Sequence, residues 1–291
     1  MEDAVVQSMP EYLQWVGEPT TLYALDLFRG VPQADYRLIP SIGRNVDLSI
    51  PGVRDETPRD VAGFHLSQME GHVVDTLRAE APPYLDLVPE SYLDWVVLAQ
   101  HHGASTRLLD WTRSCLVALY FAVEKHTDSD GAVYLIRALP NTPYEGSPLF
   151  RTIYMTPGGE YVLNEHNPFI AFVPRHISAR IAVQLSVFTW HWDTYEGRPF
   201  TEGDLKGQYP DTALEKAIIP TDMKDRFRVQ LSRMGFSHKT LFPGLTGICR
   251  GLGGPVPERW RSSLPGKLPS GTDAAPPKEN GTEQIDGEER S

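Results

Sequence analysis

The sequence predicts an α+β domain, a twisted and mostly antiparallel sheet flanked by helices. Three observations carry this expectation. Helical apolar spacing brackets a polar stretch at 98–112. Short apolar runs recur at 22–28, 132–136, 168–174 and 216–220, lengths that suit strands. Residues 180–188 alternate strictly: Ile181, Val183, Leu185 and Val187 face one way, and Arg180, Ala182, Gln184, Ser186 and Phe188 the other.

Taken in order, Ser8, Pro10 and Glu11 open a short helix carrying Tyr12, Leu13, Trp15 and Val16, which stops near Gly17. Residues 1–21 form this N-terminal segment. The run 22–28 reads as a buried strand ending in Arg29-Gly30, and 31–43 as an extended loop. Thr57, Pro58 and Asp60 fit the N-cap, N1 and N3 positions of a helix running to about Ala81, where Pro82-Pro83 stops it. His65 and His72 on that helix read as surface residues. Ser91 and Asp94 start a second helix with Tyr92, Trp95, Val96 and Ala99 on one face and Gly103 as its stop. Residues 100–112 then read as a loop held between this helix and a second one, apolar nearly all round, at 115–123. The region 140–167, rich in Pro, Gly and Asn, is an irregular connection. After the strand at 216–220, Thr221 is placed to cap a helix with Met223, Phe227, Leu231 and Met234 on one side and Gly235 as its end. A short helix is expected within 243–252. From Gly253 to Ser291, Ala, Pro, Gly, Ser, Glu and Lys dominate, a composition expected to stay disordered.

Composition narrows the function classes. Apolar residues make up 41% and aromatic residues 10% of 291, globular values for one sizeable core. A net charge of −11 and a pI near 5.3 give no strong nucleic-acid signal. Cys115 and Cys249 lack metal spacing, and Cys115 reads as core packing. No metal site is expected. With no apolar leader and no 18-residue apolar run, the expected location is the cytoplasm, away from membranes. A Walker phosphate loop, a Rossmann glycine fingerprint, HExxH, paired CxxC and GxSxG are all missing.

The central stretch Gln100-His101-X-Gly103-X-X-Thr106-Arg107-Leu108-Leu109-Asp110-Trp111-Thr112, followed by Ala118-Leu119-Tyr120-Phe121-Ala122, resembles the signature of the FRG domain, a family named for a Phe-Arg-Gly motif. Phe28-Arg29-Gly30 stands upstream, and Arg180-Ile-Ala-Val-Gln184 and Leu241-Phe-Pro-Gly-Leu245 also fit the pattern. The likeness spans roughly 22–252. Ser105 replaces a proline common before the Thr-Arg pair, and Leu185 a glycine common after the Gln. The resemblance implies a domain and a motif rather than a reaction.

The residues that could carry chemistry are Arg29, Gln100, His101, Thr106 and Arg107 together with Gln184. Arg29 offers a fork of donors for a phosphate or carboxylate, or it pairs with Asp110. Asp110 accepts from its own loop, from Arg107 or from Arg29. His101 can move protons near neutrality, or it caps helix carbonyls. Thr106 bonds a ligand hydroxyl or caps the following helix. The order of elements also resembles ADP-ribosyltransferases, in which an early Arg holds the dinucleotide and a late Glu polarises a ribose hydroxyl. Arg29 and Gln184 take those places here, with Gln184 neutral where a carboxylate is usual. The analogy implies an NAD-binding enzyme or effector in toxin or phage-defence biology. In that reading His101 and Gln184 are catalytic, Arg29, Gln100, Thr106 and Arg107 bind the ligand, NAD is a substrate, and no cofactor is required. The alternative is a non-catalytic ligand-binding or protein-interaction module.

Overall fold

The computed structural model describes residues 3–17, 25–44, 59–125, 128–139, 142–143, 155, 161–164, 166–175 and 178–252. The fold is α+β, as expected. Seven strands form one open sheet in the order β1-β7-β4-β2-β3-β6-β5. They are β1 Ala4–Val5, β2 Leu25–Val31, β3 Leu108–Thr112, β4 Gly131–Leu139, β5 Phe169–Phe172, β6 Ser186–His191 and β7 Ala213–Ile219. All neighbours are antiparallel except β1 and β7. The helices are α1 Met9–Val16, α2 Arg59–Glu80, α3 Tyr92–His101, α4 Cys115–Val123, α5 Ala179–Val183, α6 Glu202–Gln208, α7 Lys224–Arg233, α8 His238–Leu241 and α9 Leu245–Leu252. No described helix is long and apolar enough to cross a membrane.

Local rules explain most of these elements. Ser8 caps α1 and Gly17 ends it. Ser91 and Asp94 form a reciprocal capping box at α3, and Gly103 follows α3 in the left-handed region at φ +89. The dense apolar content of α4 agrees with its burial beneath the sheet. The short N-terminal strand and α1 pack into the same core as the rest: Val6, Met9 and Tyr12 join Phe28, Val133, Ala217 and Phe227.

Five expectations need correction. Residues 108–112, Leu-Leu-Asp-Trp-Thr, are a central strand rather than loop, paired with β6 over five residues; the polar residues of the motif lie before them, at 100–107. The 180–188 run is one helical turn followed by β6. Ser178 caps that turn, and over so few residues a helical turn can carry an apolar pattern with a period of two. Arg29-Gly30 lies inside β2 rather than at its end; residues 22–24 lie outside those described. Thr221 does not cap a helix by side chain: a 3-10 turn follows Pro220, and Thr221 bonds Asp130 instead. His65 is half-buried, while His72 is exposed as expected. Strand β1 and helix α6 were not anticipated, although Thr201 and Asp204 make a capping box at α6. The expected starts at Thr57 and Pro58, most of 140–167 and the tail from Gly253 lie outside the described residues.

Three apolar clusters cover the sheet. On one face, α1, α4 and α7 pack over β2, β4 and β7 through Phe28, Val117, Leu135 and Phe227. Towards the far end, α2 and α3 pack over β3, β5 and β6 through Val74, Leu93, Leu108, Phe172 and Trp190. The opposite face holds Leu27, Leu109, Trp111, Ile136 and Phe169. Phe28 pairs with Thr112, and Asp110 with Phe188, so Phe28, Thr112, Asp110 and Phe188 share the first face. Asp110 and Thr112 stand where the α4 cluster gives way to the α3 cluster, and this gap is the cleft described next.

A buried imidazole tests the opposite face. His191 is 1% exposed and stacks on Phe169 with Phe200 edge-on. The Thr189 hydroxyl accepts from Trp111 Nε1 and shares a hydrogen bond with His191 Nε2, each at 2.8 Å. Burial drives the His191 pKa from 6.5 down to about 3. Between those values the unfolded chain holds a proton that the folded chain does not, so stability falls as pH drops from 6.5 towards 3. His191→Gln, which does not titrate, is expected to flatten that acid limb in denaturant titrations at stepped pH. An unchanged limb would assign the acid sensitivity to other groups.

Candidate functional site

The cleft is built on β2, β3 and β6 and walled by α4 and α5. Its volume is about 200 Å³, and its lining includes Phe28, Arg29, Asp110, Phe121, Arg180, Gln184 and Ser186. A smaller adjoining cavity of about 40 Å³ shares Asp110, Arg180, Gln184 and Ser186 and adds Gln100 and His101 from α3. Residues singled out in the sequence therefore meet from four separate elements: Arg29 from β2, Gln100 and His101 from α3, Asp110 from β3, and Gln184 at the end of α5.

Local structure explains each placement. Strands β2 and β3 pair only at Phe28–Thr112. Beyond that rung the Asp110 carbonyl takes a side-chain donor, Arg29 Nη1, at 2.6 Å. The same Nη1 lies 3.5 Å from Asp110 Oδ2. Arg29 thus touches the central motif, as expected of two stretches that share a site. Burial lowers the Arg29 pKa, and the Asp110 charge opposes that fall; an arginine stays cationic under both influences. Arg180 and Gln184, four residues apart at α5, share a face because they are one helical turn apart. The strand alternation expected for them is replaced, but their juxtaposition survives. The Arg180 guanidinium lies 4.7 Å from the Phe242 ring centre, and Phe242 packs edge-on against Phe121.

Gln184 is 8% exposed. Its Nε2 donates to the Leu241 carbonyl at 3.0 Å, and its own carbonyl accepts from Thr112 Oγ1 at 2.7 Å. The next residue, Leu185, has φ +49. This is the left-handed conformation that glycine adopts without cost, and it accounts for the family pattern's glycine at that place.

Gln100 and Thr106 form a supporting chain. Thr106 Oγ1 donates to Gln100 Oε1, and Gln100 Nε2 donates to Asp110 Oδ1 at 2.8 Å. Thr106 is fully buried and tied to Ser41 through its backbone N–H, so it reaches the cleft only through Gln100. Arg107 is elsewhere. It is 2% exposed, bonded through its backbone N–H, Nε and Nη2 to Glu70, and set 4.6 Å from the Trp190 ring centre. Both residues hold the fold around the cleft and do not line it.

His101 is half-buried beside His102, ring centres 5.2 Å apart. Burial, then the charges of Arg180 and His102, lower its pKa, which leaves the imidazole neutral and able to accept a proton. Of the partners expected for Asp110 the structure supplies Arg29, and the carboxylate also faces the cleft, its side chain 58% exposed. Arg180 and Ser186 were named in the sequence only by their shared face. Among the described residues, no group of three or more His, Cys, Asp or Glu is disposed to hold a metal ion.

No curated protein and no solved structure matches the chain. The model of the FRG domain matches residues 26–131, a stretch that supplies Arg29, Gln100, His101 and Asp110, while Arg180, Gln184 and Ser186 come from beyond it. The Phe-Arg-Gly strand, the Gln-His helix end and the Leu-Leu-Asp-Trp-Thr strand that build one side of the cleft are thus the body of that match, and this chain carries an FRG domain.

Proposed function

We propose that the cleft binds an anionic, nucleotide-like small molecule, with NAD as the leading case, and that the chain is an ADP-ribosyltransferase-like enzyme or effector. A role in toxin or phage-defence biology follows from that reading. The observation that supports it is the meeting of Arg29 with Arg180 and Gln184 in one cleft that also has an aromatic wall, Phe28 and Phe121. Two guanidinium groups suit an anion, and arginine suits a phosphate through paired donors. His101, neutral and adjoining, is the group placed to accept a proton.

A second reading has its own observation. Gln184 is an amide, and its Nε2 is already committed to Leu241. An amide cannot stabilise a developing cation as a carboxylate does. A domain that holds the ligand without turning it over fits that feature.

Calorimetric titration with NAD, alongside nicotinamide release, separates the readings. Arg29→Lys keeps the charge and loses the planar fork, so it is expected to weaken binding by roughly 1.5–3 kcal/mol, about ten- to a hundredfold. Gln184→Ala is expected to weaken it less. Binding without nicotinamide release supports the ligand-holding module. A folded wild type that neither binds nor releases ends the NAD reading and leaves an interaction module. Binding that Arg29→Lys does not alter moves the phosphate away from Arg29.

A further inference from the structure

Asp110 occupies an unusual place. It is the middle residue of β3, a strand inside the sheet, and its four strand neighbours Leu108, Leu109, Trp111 and Thr112 are all buried. Aspartate is a poor strand former, and the largely buried guanidinium of Arg29 engages its carboxylate only at 3.5 Å. The Arg29 bond at 2.6 Å goes to the Asp110 carbonyl, which any residue would supply. The carboxylate itself makes one short bond, from Gln100 Nε2 to Oδ1 at 2.8 Å, and a long one, from Arg29 to Oδ2 at 3.5 Å. Gln100 is in turn fixed by the buried Thr106. The result is an oriented carboxylate with much of its surface open, facing a cleft that also holds Arg29, Arg180 and Ser186. Such a group accepts hydrogen bonds from hydroxyls, while the flanking arginines take an anion.

The cleft also limits what enters. Its volume of about 200 Å³ lies below the roughly 300–1,000 Å³ of sites that enclose a whole drug-sized ligand. A sugar phosphate fits the scale, and the rest of a dinucleotide would extend outside. Building on the binding reading above, we infer that the group seated in this cleft is a phosphorylated ribose, and that Asp110, rather than Gln184, is the carboxylate that grips its hydroxyls. The phosphate lies towards Arg29 and Arg180, and a sugar hydroxyl donates to Asp110 Oδ2. This separates the two tasks that the sequence assigned to Arg29 and Gln184: Gln184 positions the Leu241 segment, and the acid comes from the strand beside it.

The test is calorimetric titration with NAD and with the NAD analogue lacking the 2′-hydroxyl on its nicotinamide ribose. Wild type is expected to prefer NAD by about tenfold, the scale of one charge-assisted hydrogen bond. Asp110→Asn and Asp110→Ala are expected to lose that preference while keeping the wild-type melting temperature within a few degrees. A structural role for Asp110 would lower stability but would not erase discrimination between the two ligands. Wild type that binds both ligands equally, or an Asp110→Asn variant that still discriminates, overturns the assignment while NAD binding stands. Wild type that binds neither ligand removes the binding reading and this inference with it.

Discussion

Glu70→Ala is expected to cost about 3–5 kcal/mol of stability, the range for removing one partner of a buried ion pair. Glu70 is wholly buried on α2 and is the acceptor for donors from α3, from β6 and from Arg107 just before β3. The Arg107 backbone N–H reaches Oε1 at 2.7 Å, Arg107 Nε and Nη2 reach Oε2 at 3.0 and 2.9 Å, and Trp190 Nε1 reaches Oε2 at 2.9 Å. The Tyr92 hydroxyl adds a longer bond at 3.3 Å. Removing the carboxylate strands a guanidinium, a backbone N–H and an indole N–H in an apolar cluster. The double change Glu70→Leu with Arg107→Met removes both charges and should recover part of the loss. It should not recover all, because Trp190 and the Arg107 N–H still lack an acceptor. Denaturant unfolding of wild type, Glu70→Ala and the double variant measures this directly. A loss below about 1 kcal/mol for Glu70→Ala would mean that water enters and the pair is not sealed.

The sequence and the structure agree where local rules decide. The capping box at Ser91, the Ser8 cap and the stops at Gly17, Gly103 and Gly235 need only neighbours a few residues away, and each is found. Disagreement begins where pairing across the sheet decides. The stretch 108–112 follows directly on the polar run 100–107 and is too short to show a strand period by itself, yet β2 and β6 on its two sides make it a strand. At 179–185 a single helical turn, capped by Ser178 and closed by Leu185 at positive φ, is too short to show a helical period.

The site divides in the same way. Arg29 meeting the central motif was legible, because an arginine in an apolar strand needs a polar partner. The roles of Arg107 and Asp110 were not. Both are charged residues of one motif, three apart. Glu70, thirty-seven residues before Arg107, draws the arginine inward, and no local pattern marks Glu70 as its partner. Asp110 then stays outside because the gap between the α3 and α4 clusters opens at its position.

Gly30→Ala is expected to disrupt the fold more than any other single methyl added to the motif. A Cβ at Gly30 would stand 1.8 Å from the Ala118 carbonyl oxygen and 2.8 Å from the Ala122 nitrogen. Those atoms are backbone of α4, so no rotamer change relieves the overlap, and helix and strand must separate. Overpacking of a core commonly costs ~1–3 kcal/mol; a clash against main chain on both sides belongs at or beyond the top of that range. The glycine of the Phe-Arg-Gly motif is therefore a packing requirement: it lets α4 lie directly on β2. The effect reaches the cleft, because Phe28 and Arg29 precede it on the same strand and Val117 and Phe121 line the cleft from α4. Gly71→Ala is the control. A Cβ there meets nothing within 4 Å, the residue is inside helix α2, and alanine is favoured over glycine in helices by about 1 kcal/mol. Gly71→Ala should hold or raise the melting temperature, while Gly30→Ala should lower it sharply and weaken ligand binding at the cleft. Equal, small effects at the two positions would mean that β2 and α4 are not packed as closely as these distances require, and the arrangement of Arg29 beside Asp110 would lose its foundation.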